Sequence, residues 1–257
     1  MASVILEIKD SVAVITLNRP DKLNSFTREM ALLLQSILDE CNSEAIRCVY
    51  ITGRGKAFSA GQDLAEVTDP NGPGMEKILV EQYNPIVRQI RNLAKPVVAA
   101  VNGVAAGAGA NIALCCDIVL AAESASFIQA FSRIGLVPDS GGTFFLPRLV
   151  GFQKASALMM LGEKLMANDA EKMGLIYRTF PDTDFETGSY ALARTLAAMP
   201  TKGLAYTKEA LNHSLHSSLE QQLSNEDRLQ QLAAQTLDYK EGVAAFLEKR
   251  PPVFNGL

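Results

Sequence analysis

The chain has no tryptophan and only two histidines among its 257 residues. Both histidines, His213 and His216, lie three residues apart in one late segment. A Ser-His-Asp hydrolase needs a well-placed histidine, and a histidine-rich metal site needs several. The shortage therefore disfavours both classes, and two histidines at this spacing are typical of a polar helix face. We expect no metal site.

Cysteine is scarce as well, and its four copies lack the CxxC spacing of zinc or redox sites. Cys115 and Cys116 are adjacent within an apolar run, where buried thiols are expected. Such thiols, without a disulfide framework, favour a cytoplasmic location. The first residues lack the basic and apolar regions of a signal peptide, so we expect none.

The chain also lacks a long apolar run and an excess of positive charge. Polar residues interrupt the longest apolar stretch before it reaches the roughly 18 residues of a membrane span. The net charge is −4 and the isoelectric point is near 5.3. These values disfavour binding to nucleic acid or acidic lipid. We expect no nucleic-acid partner and no membrane association.

What is present is the composition of a globular chain, with 48% hydrophobic and 20% charged residues. The length suits one large domain, or one domain with a helical appendage. β-branched runs predict strands at Val12–Leu17, 48–52, Val97–Val101 and 117–122. Helical patterns separate these strands, and from about Thr195 the pattern is helical alone. The order predicts an α/β fold with a core at 1–194 and a helical C-terminal region at 195–257.

Local signals place several helix and loop boundaries. Apolar residues at helical spacing predict helices near 26–41 and 78–93, the second kinked at Pro85. Breaker residues at 69–74 predict a loop. Three later pairs have the spacing of capping boxes that would begin helices: Asn168 with Glu171, Ser217 with Glu220, and Asp238 with Glu241.

Three short segments have the small and polar residues from which an active site can be built. Segment 56–64 follows a strand, 107–111 (GAGAN) opens an apolar helix, and 138–142 (PDSGG) precedes a short helix. Small residues at a helix start expose backbone N–H groups to an anionic ligand. Close helix packing explains the same residues equally well. A dinucleotide fingerprint would need glycine where Ile112 stands.

Taken together, the segments resemble the enoyl-CoA hydratase/isomerase (crotonase) family. Several motifs occur in the same order: LNRPDKLNS at 17–25, AFSAGQDL at 57–64, AVNGVAAGAG at 100–109, GGT at 141–143 and FLEKR at 246–250. The resemblance covers nearly the whole chain. It implies a crotonase-like spiral of ββα units, C-terminal helices that drive trimer formation, and an acyl-CoA thioester as ligand.

The resemblance also implies which residues hold the ligand. The thioester carbonyl would be bound by two backbone N–H groups, which align with Gln62 and Ala108. Substrate or CoA contacts are implied for Lys22, Ala60, Gly61, Asp63, Leu64, Gly107, Asn111, Phe246 and Lys249. The last two would act from a neighbouring subunit. Basic side chains suit the phosphates of CoA, although a solvated surface role is an equal alternative for each lysine.

Two positions depart from the hydratases of the family, in which two glutamates act on one water. One aligns with Asn111 and the other falls near Phe131, and neither residue is acidic. Adding water needs a base and an acid, so we expect no hydratase activity. Asp139 remains, in a segment that resembles the family's isomerases of phenylacetate degradation, where the matching aspartate is the catalytic base. A helix N-cap is the alternative role for Asp139.

The resemblance therefore implies an isomerase that converts ring-1,2-epoxyphenylacetyl-CoA to oxepin-CoA by an aspartate-mediated proton shift. A Δ3,Δ2-enoyl-CoA isomerase acting on aliphatic or dehydroadipyl-CoA chains is one alternative, and a non-catalytic CoA- or RNA-binding member is another. Phe127, Phe131, Phe144 and Phe145 are candidates for an apolar wall beside Asp139, or for plain core. No cofactor is expected, since coenzyme A is part of the substrate. The expected assembly is a homotrimer or a dimer of trimers.

Overall fold

The computed structural model describes residues 2–70, 72 and 74–257. Within them ten strands, β1 to β10, lie at Val4–Lys9, Val12–Leu17, Cys48–Gly53, Ala57–Ser59, Val97–Val101, Val104–Ala106, Ile118–Ala122, Ser126–Ile128, Lys164–Met166 and Arg178–Phe180. Twelve described α-helices, α1 to α12, lie at Arg28–Glu40, Leu64–Val67, Gly74–Lys77, Asn84–Asn92, Ala108–Leu114, Gly142–Val150, Phe152–Leu161, Ala167–Lys172, Phe185–Ala198, Thr201–Ser214, Leu219–Ala234 and Leu237–Glu248. Short 3-10 helices occupy Pro20–Lys22 and Ala130–Ile134, and Ile78–Tyr83 is π-helical.

The strands form two sheets. The larger has six strands in the order β1-β2-β3-β5-β7-β10, and the smaller has four in the order β4-β6-β8-β9. Among the described strands, β1 with β2 and β8 with β9 pair antiparallel, and the other pairs are parallel. Parallel strands are usually covered on both faces. Accordingly, every residue of β5 is buried, and α9 packs against β2, β3, β7 and β10.

Successive strand pairs build a spiral. In β3–β4, β5–β6 and β7–β8, the first strand joins the larger sheet and the second joins the smaller. Helices follow each pair before the chain returns to the larger sheet. The predicted α/β fold with ββα units and a helical C-terminal region is confirmed by this order.

The four strands predicted from β-branched runs are all present, with bounds that differ by at most one residue. The second strands, β4, β6 and β8, were not predicted, because three residues are too few to show a period. The predicted loop at 69–74 includes Asn71 and Pro73, which lie outside the described residues.

The helix predicted at 78–93 is interrupted rather than simply kinked. Its first part, Ile78–Tyr83, is π-helical, and α4 begins just before Pro85. Proline has no N–H to donate to the carbonyl four residues earlier, that of Glu81. The side-chain NH2 of Gln35 in α1 donates to that carbonyl instead, at 2.9 Å. The neighbouring helix thus satisfies the group that the proline leaves open.

The predicted starts of three late helices are wrong by one or two residues. The capping box of α11 uses Ser218 and Gln221, one residue later than predicted. Helix α12 is capped by Thr236, and the carboxylate of Asp238 instead accepts backbone N–H groups of the C-terminal tail. In α8, Glu171 accepts from the backbone of β10. Both carboxylates therefore accept hydrogen bonds from backbone outside their own helices and do not cap those helices.

A buried ammonium group ties the C-terminal helices to the core. Lys208 of α10 donates to the carbonyls of Ile90 and Lys95 at 2.6 and 3.1 Å. Its Nζ lies 2.8 Å from one carboxylate oxygen of Asp117, and Arg91 pairs with the other at 3.0 Å. Burial lowers the pKa of Lys208. The paired charges fix α10 against α4 and against the residue that precedes β7.

Helices alone follow β10, from α9 to α12. Helix α9 spans the predicted boundary between 1–194 and 195–257 and packs on the larger sheet. The division into two regions therefore stays a prediction. Across the described ranges, no helix is both long and apolar enough to cross a membrane.

Helix α5 meets β4 where no side chain fits. A Cβ on Gly109 would lie 2.5 Å from the carbonyl oxygen of Ser59. We expect Gly109→Ala to lower the free energy of unfolding by about 1–3 kcal/mol through overpacking, measured by urea denaturation. The control is Gly203→Ala in α10, where the new Cβ would meet Pro200 at an ordinary 3.7 Å. Equal effects of the two substitutions would contradict the prediction.

Candidate active site

Two backbone N–H groups come together where two parallel strands of the smaller sheet end. Because β4 and β6 are paired in parallel, the segments that follow them leave the sheet at the same edge. Gly61 has a φ of 90°, and a Cβ there would lie 2.9 Å from the carbonyl oxygen of Ala106 and 3.3 Å from the nitrogen of Ala108. Gly61, the residue before Gln62, therefore lies close to the backbone nitrogen of Ala108.

Both N–H groups are available to a ligand. Ala108 is the first residue of α5, where a helix N–H has no intrahelical acceptor. Gln62 is bridged to Phe26, whose N–H donates to the Gly61 carbonyl at 2.7 Å and whose carbonyl accepts from Asp63 at 2.9 Å. Within the part of the chain that the structure describes, neither amide donates to a backbone carbonyl. The pair can hold one carbonyl oxygen.

A half-buried carboxyl group belongs to the same site. The side-chain NH2 of Asn111, in the helix that begins at Ala108, donates to the backbone carbonyl of Asp139 at 2.9 Å. The Asp139 carboxylate accepts from the Ser140 hydroxyl at 2.8 Å. Burial raises the pKa of Asp139 from its usual 3.8 to about 6, and the bond from Ser140 offsets part of that rise. This carboxyl group is suited to accept a proton near neutral pH.

A tight turn presents Asp139. Ser140 and Gly141 both have left-handed backbones, with φ of 50° and 76°. Helix α6 is capped at Gly141 with no side-chain hydrogen bond, so the alternative role of Asp139 as its N-cap is wrong. The Asp139 carboxylate does not bond the first N–H groups of α6, because the helix begins only after the turn at Ser140 and Gly141.

Asn111 and Gln129 hold the backbone of Asp139. Asn111 is fully buried, and its side-chain oxygen accepts from Gln129 Nε2 at 2.8 Å. That bond orients the amide so that its NH2 faces the Asp139 carbonyl. Gln129 was not singled out by any sequence signal. The predicted contact of Asn111 with substrate stays a prediction.

Two of the four candidate phenylalanines lie beside these groups. The ring of Phe131 is buried, and a Cβ on Gly107 would lie 3.8 Å from it. A Cβ on Gly141 would lie 2.8 Å from the ring of Phe145. Phe131 thus faces the start of α5, and Phe145 faces the turn after Asp139. Both supply the apolar surroundings that burial of the carboxyl requires.

The other two candidates lie elsewhere. Phe127 belongs to the buried core. The Phe144 ring packs against His216 at 5.3 Å and under the Arg148 guanidinium at 3.8 Å. His213 is exposed on α10, but His216 lies in the turn after that helix, so the expected polar helix face holds for His213 alone.

Residues 7–256 match the family model described as enoyl-CoA hydratase/isomerase. The chain belongs to this family. It is 46% identical to the 1,2-epoxyphenylacetyl-CoA isomerase of Escherichia coli (strain K12), over 100% of this chain and 99% of that protein. It is 47% identical to a probable enoyl-CoA hydratase of Rhodobacter capsulatus, over 97% and 96%. The predictions of the family and of an isomerase enzyme are confirmed.

Solved structures agree on the fold of this family member. The enoyl-CoA hydratase from Bacillus anthracis superposes with a TM-score of 0.92 at 32% identity, covering 99% of this chain and 100% of that one. An enoyl-CoA hydratase from Mycobacterium smegmatis gives 0.93 at 27% identity, covering 99% of each.

Several predicted ligand contacts lie around the two amides. Ala60, Gly61 and Gly107 belong to the segments that meet there. The Asp63 carboxylate is engaged within the protein: it pairs with Arg19 at 2.9 Å and caps α2. Leu64, the next residue, is 55% exposed. Contact of Asp63 and Leu64 with substrate stays a prediction.

Basic residues surround Lys22 near the same segment. A cavity of about 520 Å³ is lined by Asn18, Arg19, Pro20, Asp21, Lys22 and Arg54. Three of these six are cationic, which suits phosphate groups. Sequence reasoning selected Lys22 and missed Arg19 and Arg54, because isolated arginines carry no spacing signal.

Phe246 and Lys249 lie on α12 and at its C-terminal end. The Phe246 side chain is 84% exposed. Helix α12 packs against α11 within this chain. The predicted contact of these two residues with CoA in a neighbouring subunit stays a prediction.

The structure gives contacts at the site to Tyr83, a residue that the sequence places on an apolar helix face and in a short segment resembling the family's isomerases. Tyr83 is fully buried, and its hydroxyl donates to the side-chain oxygen of Gln62 at 2.6 Å. The sequence signal is the short run Tyr83-Asn84-Pro85, which resembles the family's isomerases but assigns no role to the tyrosine.

Asp139→Asn is expected to raise the free energy of unfolding at neutral pH. The carboxyl pKa is about 6 in the folded chain and near 3.8 when exposed. The unfolded chain therefore ionises first, and the folded chain loses stability as the pH rises from about 4 to 6. Above that range the cost is at most about 3 kcal/mol, and below it the cost is absent.

Urea denaturation of both proteins at about pH 4 and about pH 8 measures the gain. Asp63→Asn serves as the control, because that carboxylate is paired with Arg19 and its loss should destabilise the fold at the higher pH. A gain for Asp139→Asn of the same size at both pH values would refute the prediction.

Proposed function

We propose that the chain isomerises ring-1,2-epoxyphenylacetyl-CoA to oxepin-CoA by a proton shift. The observation that carries the proposal is the half-buried carboxyl of Asp139, with its pKa raised to about 6, in a site where the amides of Gln62 and Ala108 donate to no backbone carbonyl of the described chain. The 46% identity to the Escherichia coli 1,2-epoxyphenylacetyl-CoA isomerase supports this substrate.

Asp139 acts as the base in the first step. Its carboxylate accepts the proton on the carbon next to the thioester, and the electron pair of that C–H bond moves to the thioester oxygen as an enolate. Such a proton is a very weak acid, whereas a carboxylate is a modest base. A pKa near 6 makes Asp139 a stronger base than an exposed aspartate, yet leaves it ionised at neutral pH.

The amides of Gln62 and Ala108 make that step feasible. Each N–H would donate to the oxygen on which negative charge develops. Loss of one such donor in other enzymes costs about 2.7–4 kcal/mol of transition-state stabilisation. Fixed amides need no reorganisation as the charge forms.

The same carboxyl completes the reaction. Once protonated, Asp139 returns the proton to a more distant carbon of the conjugated system, and the double bonds move into conjugation with the thioester. The ring epoxide opens to its oxepin form as part of this rearrangement. No atom is gained or lost, so one carboxyl suffices, and the proposal includes no resident cofactor.

The residues around Asp139 do not favour hydration. The two positions that hold glutamates in hydratases carry Asn111 and, nearby, Phe131. The Asn111 amide is bonded to Gln129 and to the Asp139 carbonyl, and Phe131 is buried. Neither side chain can serve as the second acid or base that water addition needs.

The proposal extends to the CoA portion and the assembly. Lys22 and Arg54 supply local positive charge for the phosphates of CoA in a chain whose net charge is negative, whereas the charge of Arg19 is paired with Asp63. Exposed apolar side chains of α12, Phe246 and Leu247, are 84% and 75% exposed. Such a surface supports a homotrimer, or a dimer of trimers, in which α12 meets a neighbouring subunit.

Asp139→Asn should lower kcat by about a hundredfold to ten-thousandfold, because the amide cannot accept the proton. Binding of phenylacetyl-CoA should be largely retained. The measurement is oxepin formation from purified epoxide substrate, with calorimetry for binding. Asp169→Asn, at an exposed carboxylate paired with Lys172, is the matched control. Near-normal turnover of Asp139→Asn would refute the assignment.

For the wild-type enzyme, kcat/KM should fall as the pH drops below about 6, tenfold for each further pH unit, as Asp139 takes up a proton. Assays with 3-enoyl-CoA chains beside the epoxide decide between the aliphatic and the ring substrate. A protein inactive on both that binds RNA in a salt-dependent manner would be a non-catalytic member.

A further inference from the structure

A chain of hydrogen bonds leads from Tyr83 through the side chain of Gln62. The Tyr83 hydroxyl donates to Gln62 Oε1 at 2.6 Å. Gln62 Nε2 donates to one carboxylate oxygen of Glu66 at 2.9 Å, and the other oxygen accepts from the backbone N–H of Arg28 at 2.8 Å. Both ends of the Gln62 amide are thus occupied, and its orientation is fixed, since Glu66 can only accept.

The ring of Tyr83 supports the same segment from a second side. It packs edge-on against the ring of Phe26, with centroids 5.9 Å apart and planes at 79°. Phe26 is the bridge partner of Gln62 and hydrogen-bonds the backbones of Gly61 and Asp63, the two neighbours of Gln62. Tyr83 therefore supports Gln62 in two ways. Its hydroxyl bonds the Gln62 side chain, and its ring packs on Phe26, which is hydrogen-bonded to both neighbours of Gln62.

We propose that Tyr83 is a positioning residue for the proton shift, holding the backbone N–H of Gln62 where the enolate oxygen forms. The inference rests on the proposed function through the assignment of that N–H to the oxyanion hole. Donors of this kind act because they are already in place. A displacement of about one ångström is enough to lose most of the effect.

A buried phenol is well suited to this role. Burial, with the nearby carboxylates of Asp139 and Glu66, raises the pKa of Tyr83 well above its ordinary value. The hydroxyl therefore keeps its proton at neutral pH, where Asp139 is ionised. That proton is bonded to Gln62, so Tyr83 orients the site without exchanging a proton with substrate.

The π-helical turn that ends at Tyr83 is itself fixed by α1. Gln35 Nε2 donates to the carbonyls of Glu81 and Gln82 at 2.9 and 3.1 Å. At the Glu81 carbonyl, the side-chain NH2 of Gln35 takes the place of the backbone N–H that Pro85 lacks. The backbone carrying Tyr83 is thereby tied to the same helix that follows Phe26, which links the tyrosine and its target to one support.

Tyr83→Phe tests the inference, because it removes the hydroxyl and keeps the ring against Phe26. We expect kcat to fall about tenfold to a hundredfold with little change in KM. The second readout is the infrared carbonyl stretch of phenylacetyl-CoA labelled with ¹³C at the thioester carbonyl. Binding should lower this frequency in the wild type, and less so in Tyr83→Phe.

Two further variants make the result decisive. Gln62→Met removes the acceptor and keeps the backbone N–H, and it should reduce kcat and the carbonyl shift as Tyr83→Phe does. Combining both substitutions should cost no more than either alone. The control is Tyr50→Phe, which removes a buried hydroxyl outside the site. The hydroxyl of Tyr50 lies 2.8 Å from that of Ser189, and its loss should leave both readouts unchanged.

The outcomes separate this inference from the proposed function. A wild-type shift that persists in full in Tyr83→Phe and Gln62→Met overturns the positioning role and leaves the oxyanion hole standing. An equal loss in Tyr50→Phe also overturns it, since any buried hydroxyl would then do the same. No shift in the wild type itself overturns both assignments.

Discussion

The close approach of two chain segments beyond the smaller sheet is the constraint on which the rest of the site depends. There is no space for a side chain between Gly61 and the Ala108 amide, nor between Gly109 and Ser59. Parallel pairing of β4 with β6 brings these segments to one edge. The two N–H groups can then face one oxygen, and α5, which begins there, carries Asn111 to the carbonyl of Asp139.

Polar side chains hold the site by hydrogen bonds to one another and to backbone, while the amides of Gln62 and Ala108 donate to no backbone carbonyl of the described chain. Asn111 and Gln129 hold the backbone of Asp139, and Tyr83 holds Gln62. The carboxylate of Asp139 itself is bonded only locally within the described chain, to the Ser140 hydroxyl and to its own backbone N–H. Its raised pKa reflects a cost in stability that makes it a better base, a conflict common at active sites.

Much of the fold could be predicted from the sequence, and the failures have two main causes. Long β-branched runs predicted β2, β3, β5 and β7, because a buried parallel strand needs such residues along its whole length. The three-residue strands gave no periodic signal. The helix caps failed where carboxylates such as Asp238 and Glu171 bind distant backbone groups instead of their own helix. Local rules hold until a distant partner offers a better bond.

The sequence by itself determined the family and the α/β fold, and it singled out Asp139 as a candidate, because each motif is a run of neighbouring residues. It also pointed to the amides of Gln62 and Ala108, but only because the motifs around them resemble those of the family. Only the tertiary structure decided that the Asp139 carboxyl is half-buried with a raised pKa and caps no helix, and that Tyr83 contacts Gln62. Those properties arise from burial and from contacts between residues 21 and 28 positions apart, which no local pattern encodes.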